Sequence, residues 1–203
     1  VIAHLGGVHR WAARTVRERR LEGGHRRGRE SGEALLEWFD EGVTELIDAL
    51  RSADPTGPCP NFSPGSPNTV AFWHRRQAHE TTMHRWDVEA AAGAISPIEE
   101  GFASDGIDEL FHTFTRNRGK QVLAGPLIVR TDDTDSTWTL VPAEKPGRVD
   151  LTLEEVEPVG VLSGAAEQLL LALWKRLPLE VARVEIEGDT DAVSVFVAGP
   201  ISP

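Results

Sequence analysis

The hydrophobic period of the chain changes once, near Gly93-Ala94-Ile95-Ser96-Pro97, and this change limits the possible folds more than any other feature. Before it, apolar residues recur at the i, i+3, i+4 spacing of amphipathic helices. Val1, Leu5, Val8, Ala12 and Val16 predict a helix over residues 1–20. Leu35, Leu36, Phe39, Val43, Leu46, Ile47 and Leu50 predict a second over 32–52, with Ser31 as its cap, Trp38 and Phe39 in its core face and Asp54-Pro55 as its end. A third starts at Asn68 or Thr69 and runs to about Ala92, where Gly93 stops it. Between these helices lie a glycine-containing loop over 21–32 and a proline-rich connection over 55–67, long irregular segments of a kind often tied to function.

Beyond the change, the pattern mixes periods. Residues 104–117 read as a short helix, then 126–131, 137–141 and 150–154 as strands, 164–176 as a helix, and 184–187 and 192–197 as strands flanking a hairpin turn at Gly188-Asp189-Thr190-Asp191. A helical bundle followed by helices with an antiparallel sheet is an α+β chain. Two domains are expected, residues 1–100 and 104–203, with a linker running from Ser96-Pro97 to about Ala103.

A formal net charge of −11 over 203 residues argues against nucleic acid as the main partner, because phosphate binding needs a basic surface. It leaves room for a locally basic pocket that takes a small anion. Arg10, Arg14, Arg17, Arg19, Arg20, Arg26, Arg27 and Arg29 do form a basic stretch, but Glu18, Glu22 and Glu30 interrupt it. It reads as a solvated helix face entering a flexible loop. Cys59 is the single cysteine, so there is no disulfide framework, and its Pro-Cys-Pro setting gives no sign of a catalytic thiol. No apolar run reaches the ~18 residues of a membrane span and no secretory signal is visible, so a cytoplasmic location is expected. The chain opens with helix-interior residues, which suggests that its natural start lies upstream.

The chemistry concentrates in Trp73 to Asp87. At ~100° per residue, Arg76, Glu80, His84 and Asp87 fall within roughly 80° of one another, beside Trp73, Met83, Val88 and Ala91. Burying a carboxylate, an imidazole and a guanidinium beside apolar groups is costly unless they pair or bind a metal. Glu80 and His84, four apart, can reach one ion, and carboxylate plus imidazole suits zinc and other first-row divalent cations. The bland reading is a set of ion pairs at the same spacing. A third ligand could come from His4 or His9 on the first helix, and the helical wheel does not choose between them. His79 falls at the edge of the stripe, and His112 reads as a surface or packing residue.

Two segments resemble a known family. His4-Leu5-Gly6-Gly7-Val8-His9-Arg10-Trp11 is similar to the helix bearing Ala-His-Leu in mycothiol-dependent maleylpyruvate isomerase-like proteins, and Arg76-Gln77-Ala78-His79-Glu80-Thr81-Thr82-Met83-His84-Arg85-Trp86-Asp87 is similar to their later metal-binding helix. Residues 160–174 and 184–189 resemble the C-terminal domain that accompanies it. The resemblance implies a DinB-like four-helix bundle, of which this chain lacks the first helix, holding one divalent metal, usually zinc, through His4, Glu80 and His84. It implies a cytoplasmic, actinobacterial protein that uses mycothiol as cosubstrate: a metal-activated thiolate would add to a small electrophile, as isomerase or S-transferase. Arg76 and Asp87 would then orient ligands or substrate. The C-terminal domain of such enzymes adds a basic residue, for which Arg116, Arg118, Lys120 and Arg130 are all candidates. A small-molecule partner, neither nucleic acid nor membrane, and a monomer or weak oligomer complete this expectation. The alternative is a non-catalytic ligand-binding protein of the same fold.

Overall fold

A computed structural model describes residues 1–117, 120 and 122–202. The chain divides into two compact units, Val1–Ser96 and Pro97–Pro203.

The first unit is helical: α1 (Ile2–Glu18), α2 (Glu33–Arg51) and α3 (Val70–Ala92). Ala12, Ala13 and Val16 of α1 meet Leu46 and Ala49 of α2, with Cys59, Val70 and Trp73 closing the core. The alanines let the helix backbones approach, and Trp73 fills the remaining volume. The α1–α2 contact uses Gly42, Leu46 and Ala49, so α2 is rotated away from the bulkier face read in sequence. Leu36 and Ile47 are exposed as a result, and Trp38 and Phe39 are only half-buried. Gly32, not Ser31, precedes α2, and no side chain caps it. The proline-rich connection folds back on α3: Trp73 Nε1 donates to the Pro60 carbonyl at 2.9 Å and Cys59 N to the Asn68 carbonyl at 2.9 Å. Helix α3 ends where Gly93 adopts φ 68°, a left-handed conformation that glycine takes without steric cost.

The second unit begins earlier than the sequence suggested. Glu99 caps α4 (Glu100–Glu109), its carboxylate accepting from the amides of Gly101 and Phe102, so residues placed in the linker are helical. The helix continues through a π-helical turn (Leu110–Phe114) and a short 3-10 turn (Thr115–Asn117). A five-stranded sheet follows in the order β3-β2-β1-β4-β5, from β1 (Leu127–Thr131), β2 (Thr137–Pro142), β3 (Val149–Thr152), β4 (Gly160–Gly164) and β5 (Val184–Gly188). All pairs are antiparallel except β1–β4, which is parallel, so the sheet is mixed rather than purely antiparallel. Leu151, Leu140, Leu127 and Gly160 stand level in one row across β3, β2, β1 and β4. Helices α5 (Ala166–Leu173) and α6 (Thr190–Ala198) complete the unit.

Two expectations fail here. The run 192–197 is helical, and Gly188–Asp191 is no hairpin turn: Asp189 caps α6 by accepting from Ala192 N at 2.9 Å. Val193, Phe196 and Val197 are buried at helical spacing. A short β-branched run fits either period, and the cap decides it. Strand β4 was not anticipated. It is buried along most of its length against parallel β1, so it lacks the alternation that marks a half-exposed strand. No described helix is long and apolar enough to cross a membrane.

Candidate metal centre

Helix α3 carries most of the site. Trp73, Arg76, Gln77, His79, Met83 and Trp86 are buried along it, roughly 200° of its circumference. Val88 and Ala91, expected on that inner face, are exposed near its end. Glu80, His84 and Asp87 are partly buried, with side chains 17%, 16% and 22% exposed, which leaves the site reachable from solvent.

The structure brings His4, Glu80 and His84 together, one donor atom of each lying within 4.8 Å of the others. Oε1 of Glu80 stands 3.3 Å from His4 Nε2 and 3.3 Å from His84 Nε2. The outward atoms are tied down. Arg76 donates to Glu80 Oε2 at 2.6 Å, and Asp87 accepts at 2.8 Å from His84 Nδ1. Asp87 holds a proton on Nδ1, so a neutral His84 would offer its Nε2 lone pair to a cation, the tautomer that a metal ligand needs, while the protonated ring donates from Nε2 to Glu80. The Nδ1 atom of His4 is buried and has no hydrogen-bond partner among the described residues.

Burial alone would raise the Glu80 carboxyl, but the hydrogen bond from His84 and the charge of Arg76 hold it below the usual carboxylate range. His84 is raised, first by its hydrogen bond to Glu80, against burial and with help from Asp87. His4 is lowered, chiefly by burial and then by His25, with Glu80 opposing. The donor set is therefore one ionised carboxylate and two imidazoles, a combination that fits a divalent cation.

His9, the other first-helix candidate, lies elsewhere. It is buried, bonded through Nε2 to Thr81 Oγ1 at 3.0 Å, and lowered to about 4 by burial. Two neighbours escaped the sequence reading. Gln77 is 3% exposed with both amide atoms unpartnered among the described residues, and the wheel puts it roughly 20° from His84, so the signal was present. His25, in the loop before α2, lays its ring 4.5 Å from that of His4, and nothing in its local sequence marks it. Cys59 is buried, its thiol pushed up by burial, as an inert packing residue would be. Of the basic candidates in the second unit, Arg116 pairs with Asp150 at 3.2 Å, Arg130 and Lys120 are exposed, and Arg118 lies outside the described residues. His112 is 45% exposed and pairs with Asp108.

Residues 1–89 match the family model for the mycothiol maleylpyruvate isomerase N-terminal domain, and residues 102–194 match the model for the C-terminal domain of the same proteins. The chain belongs to the mycothiol maleylpyruvate isomerase-like family. The two family segments fall inside the two structural units, so the family's two-part organisation is present along the chain. No curated protein matches it. Among solved structures, a UbiJ-SCP2 ubiquinone synthesis protein is similar at 22% identity and TM-score 0.36, over 48% of this chain and 92% of that one. Sterol carrier protein 2 like 2 from Aedes aegypti is similar at 20% identity and TM-score 0.28, over 61% and 96%. Likenesses this low carry no argument.

Proposed function

We propose that the chain is a divalent-metal protein of mycothiol chemistry, in which His4, Glu80 and His84 hold the cation and a small electrophile is modified by the thiol. The observation that supports this is the convergence of three donor atoms whose opposite faces are already fixed by Arg76 and Asp87. Zinc suits two imidazoles and a carboxylate, and three protein ligands leave a coordination position open. A divalent cation in such a site supplies the positive charge that keeps a nearby thiol deprotonated near neutral pH.

The residues of the chain do the rest. Asp87 holds the proton on His84 Nδ1 and fixes the ring. Arg76 keeps Glu80 ionised and its carboxylate oriented. The single cysteine is buried, so the nucleophile comes from a small molecule rather than from the protein. The thiolate adds to a conjugated double bond, whose electron pair moves onto the adjacent carbonyl; that pair then either expels the thiolate after rotation about the new single bond or takes a proton from water, leaving the thiol attached.

Metal analysis tests the reading, with wild type compared with Glu80→Gln and His84→Ala, followed by assay of mycothiol consumption and of mycothiol-dependent isomerisation. About one zinc per chain in wild type, lost from both variants, with mycothiol-dependent turnover, is the expected result. A folded wild type that takes up no divalent cation refutes it. Metal bound without thiol chemistry would identify a ligand-binding protein instead.

A further inference from the structure

The basic stretch at the start of the chain is exposed at every arginine but the half-buried Arg10, as a solvated face would be, yet its loop is not free of the helix. Its loop runs back along α1 in reverse order: Arg14 Nη2 donates to the Glu22 carbonyl at 3.5 Å, the Arg26 carbonyl sits against Gly7, and Gly28 N donates to the Ala3 carbonyl at 3.0 Å. This course requires a glycine at position 7, where an added Cβ would lie 2.1 Å from the Arg26 oxygen. The result is an open cavity of about 430 Å³ between loop, α1 and Trp38.

Five arginines line that cavity, Arg10, Arg14, Arg26, Arg27 and Arg29, with Glu30 as the one carboxylate. In a chain with 32 acidic and 21 basic residues, this is a strong local reversal of charge. Arg10 is held by the Trp38 carbonyl at 2.5 Å, by Glu41 and Glu45 at the α2 side, and by stacking 4.1 Å above the Trp38 ring. Its Nη1, buried without a partner among the described residues, lies against Gly42 of α2. Arg14, Arg26, Arg27 and Arg29 have no carboxylate partner among the described residues. Glu30 is spent partly on the Arg29 amide, which donates to it at 2.8 Å.

We infer that this cavity is a binding site for a small polyanion carrying two or more carboxylate or phosphate groups. Guanidinium forks match both groups in geometry, and several of them around one hollow repel each other until an anion is seated. A monoanion would leave most of that repulsion in place. A nucleic acid strand fits less well, since the chain as a whole repels it and, of the two tryptophans lining the cavity, Trp38 is covered by Arg10. The cavity borders the metal centre without sharing its ligands: Gly24 and Arg26 flank His25, whose ring packs on His4. The site therefore stands whether or not the metal reading holds.

Calorimetric titration of chelator-treated, dialysed full chain with citrate and with inorganic pyrophosphate, at 0.15 M salt, tests the assignment. Removing metal first keeps chelation by these probes out of the signal. Saturable binding of one equivalent is expected, at least tenfold weaker in Arg26→Gln/Arg27→Gln and unchanged in Arg51→Gln. The tighter of the two probes identifies carboxylate or phosphate as the recognised group. Equal binding by wild type and the double variant, or none by wild type, overturns the inference. If the double variant does not fold, phenylglyoxal labelling of wild type decides: the anion should shield Arg26, Arg27 and Arg29 but not Arg51, and uniform labelling refutes the site.

Discussion

Replacing Arg76 by methionine isolates what its guanidinium does for Glu80. The two side chains are 3% and 17% exposed and 2.6 Å apart, so the pair is largely withdrawn from water. Methionine keeps the apolar stem and removes the charge. Breaking one side of a buried pair costs ~3–5 kcal/mol, mostly from stranding the other charge. Glu80 keeps His84 and some solvent, which puts the expected loss near the lower end, ~3 kcal/mol, in metal-free protein. At roughly 4–8 °C per kcal/mol for a domain of this size, the first unit should melt 12–24 °C lower. A bound divalent cation places positive charge beside the same carboxylate, so zinc should cut the deficit by about half or more. Removing both charges together, in Arg76→Met/Glu80→Gln without metal, should recover most of the loss. Thermal and urea unfolding followed by circular dichroism, with and without zinc, measure all three quantities. A loss below ~1 kcal/mol, the same loss in both metal states, or a double variant as unstable as the single one would refute the reasoning.

Asp87→Asn should weaken zinc binding about 10–100-fold while leaving the fold intact, read by competition with a chromophoric chelator. His9 is held at about 4, below the 6.5 of an unfolded histidine, so between those values the unfolded chain binds more protons. Its contribution is complete above pH 6.5 and declines as the pH falls toward 4, and His9→Gln should flatten that slope in urea unfolding at pH 7, 5.5 and 4.5. Gly7→Ala puts a methyl group into the Arg26 carbonyl and must push the loop off α1, so trypsin should cut after Arg26 and Arg27 faster than in wild type.

The stripe on α3 was legible because a helix converts spacing into direction. Arg76, Glu80, His84 and Asp87 project together on the wheel, and in the structure they are linked by hydrogen bonds. The choice between His4 and His9 was not legible in that way, since it depends on how α1 is rotated against α3. The basic loop is exposed, as its charges suggested, but its return along α1 was not legible, because scattered charges do not show which backbone they fold against. Gly7 was the available sign, but a close approach is invisible without knowing what approaches. In the second unit, strands with one exposed face announced themselves, whereas β4, buried along most of its length, and α6, written in β-branched residues, did not.

The row formed by Leu151, Leu140, Leu127 and Gly160 sets a measured span for the chain between β3 and β4. At ~4.8 Å per strand, three spacings separate Leu151 from Gly160, about 14 Å with no offset along the strands. Residues 152–159 must cross that distance and also reverse direction, because β3 and β4 point the same way. Fully extended, a segment of this size reaches only about twice as far. The connection thus has only about half its extended length to spare for the reversal, so it tolerates added residues more readily than lost ones.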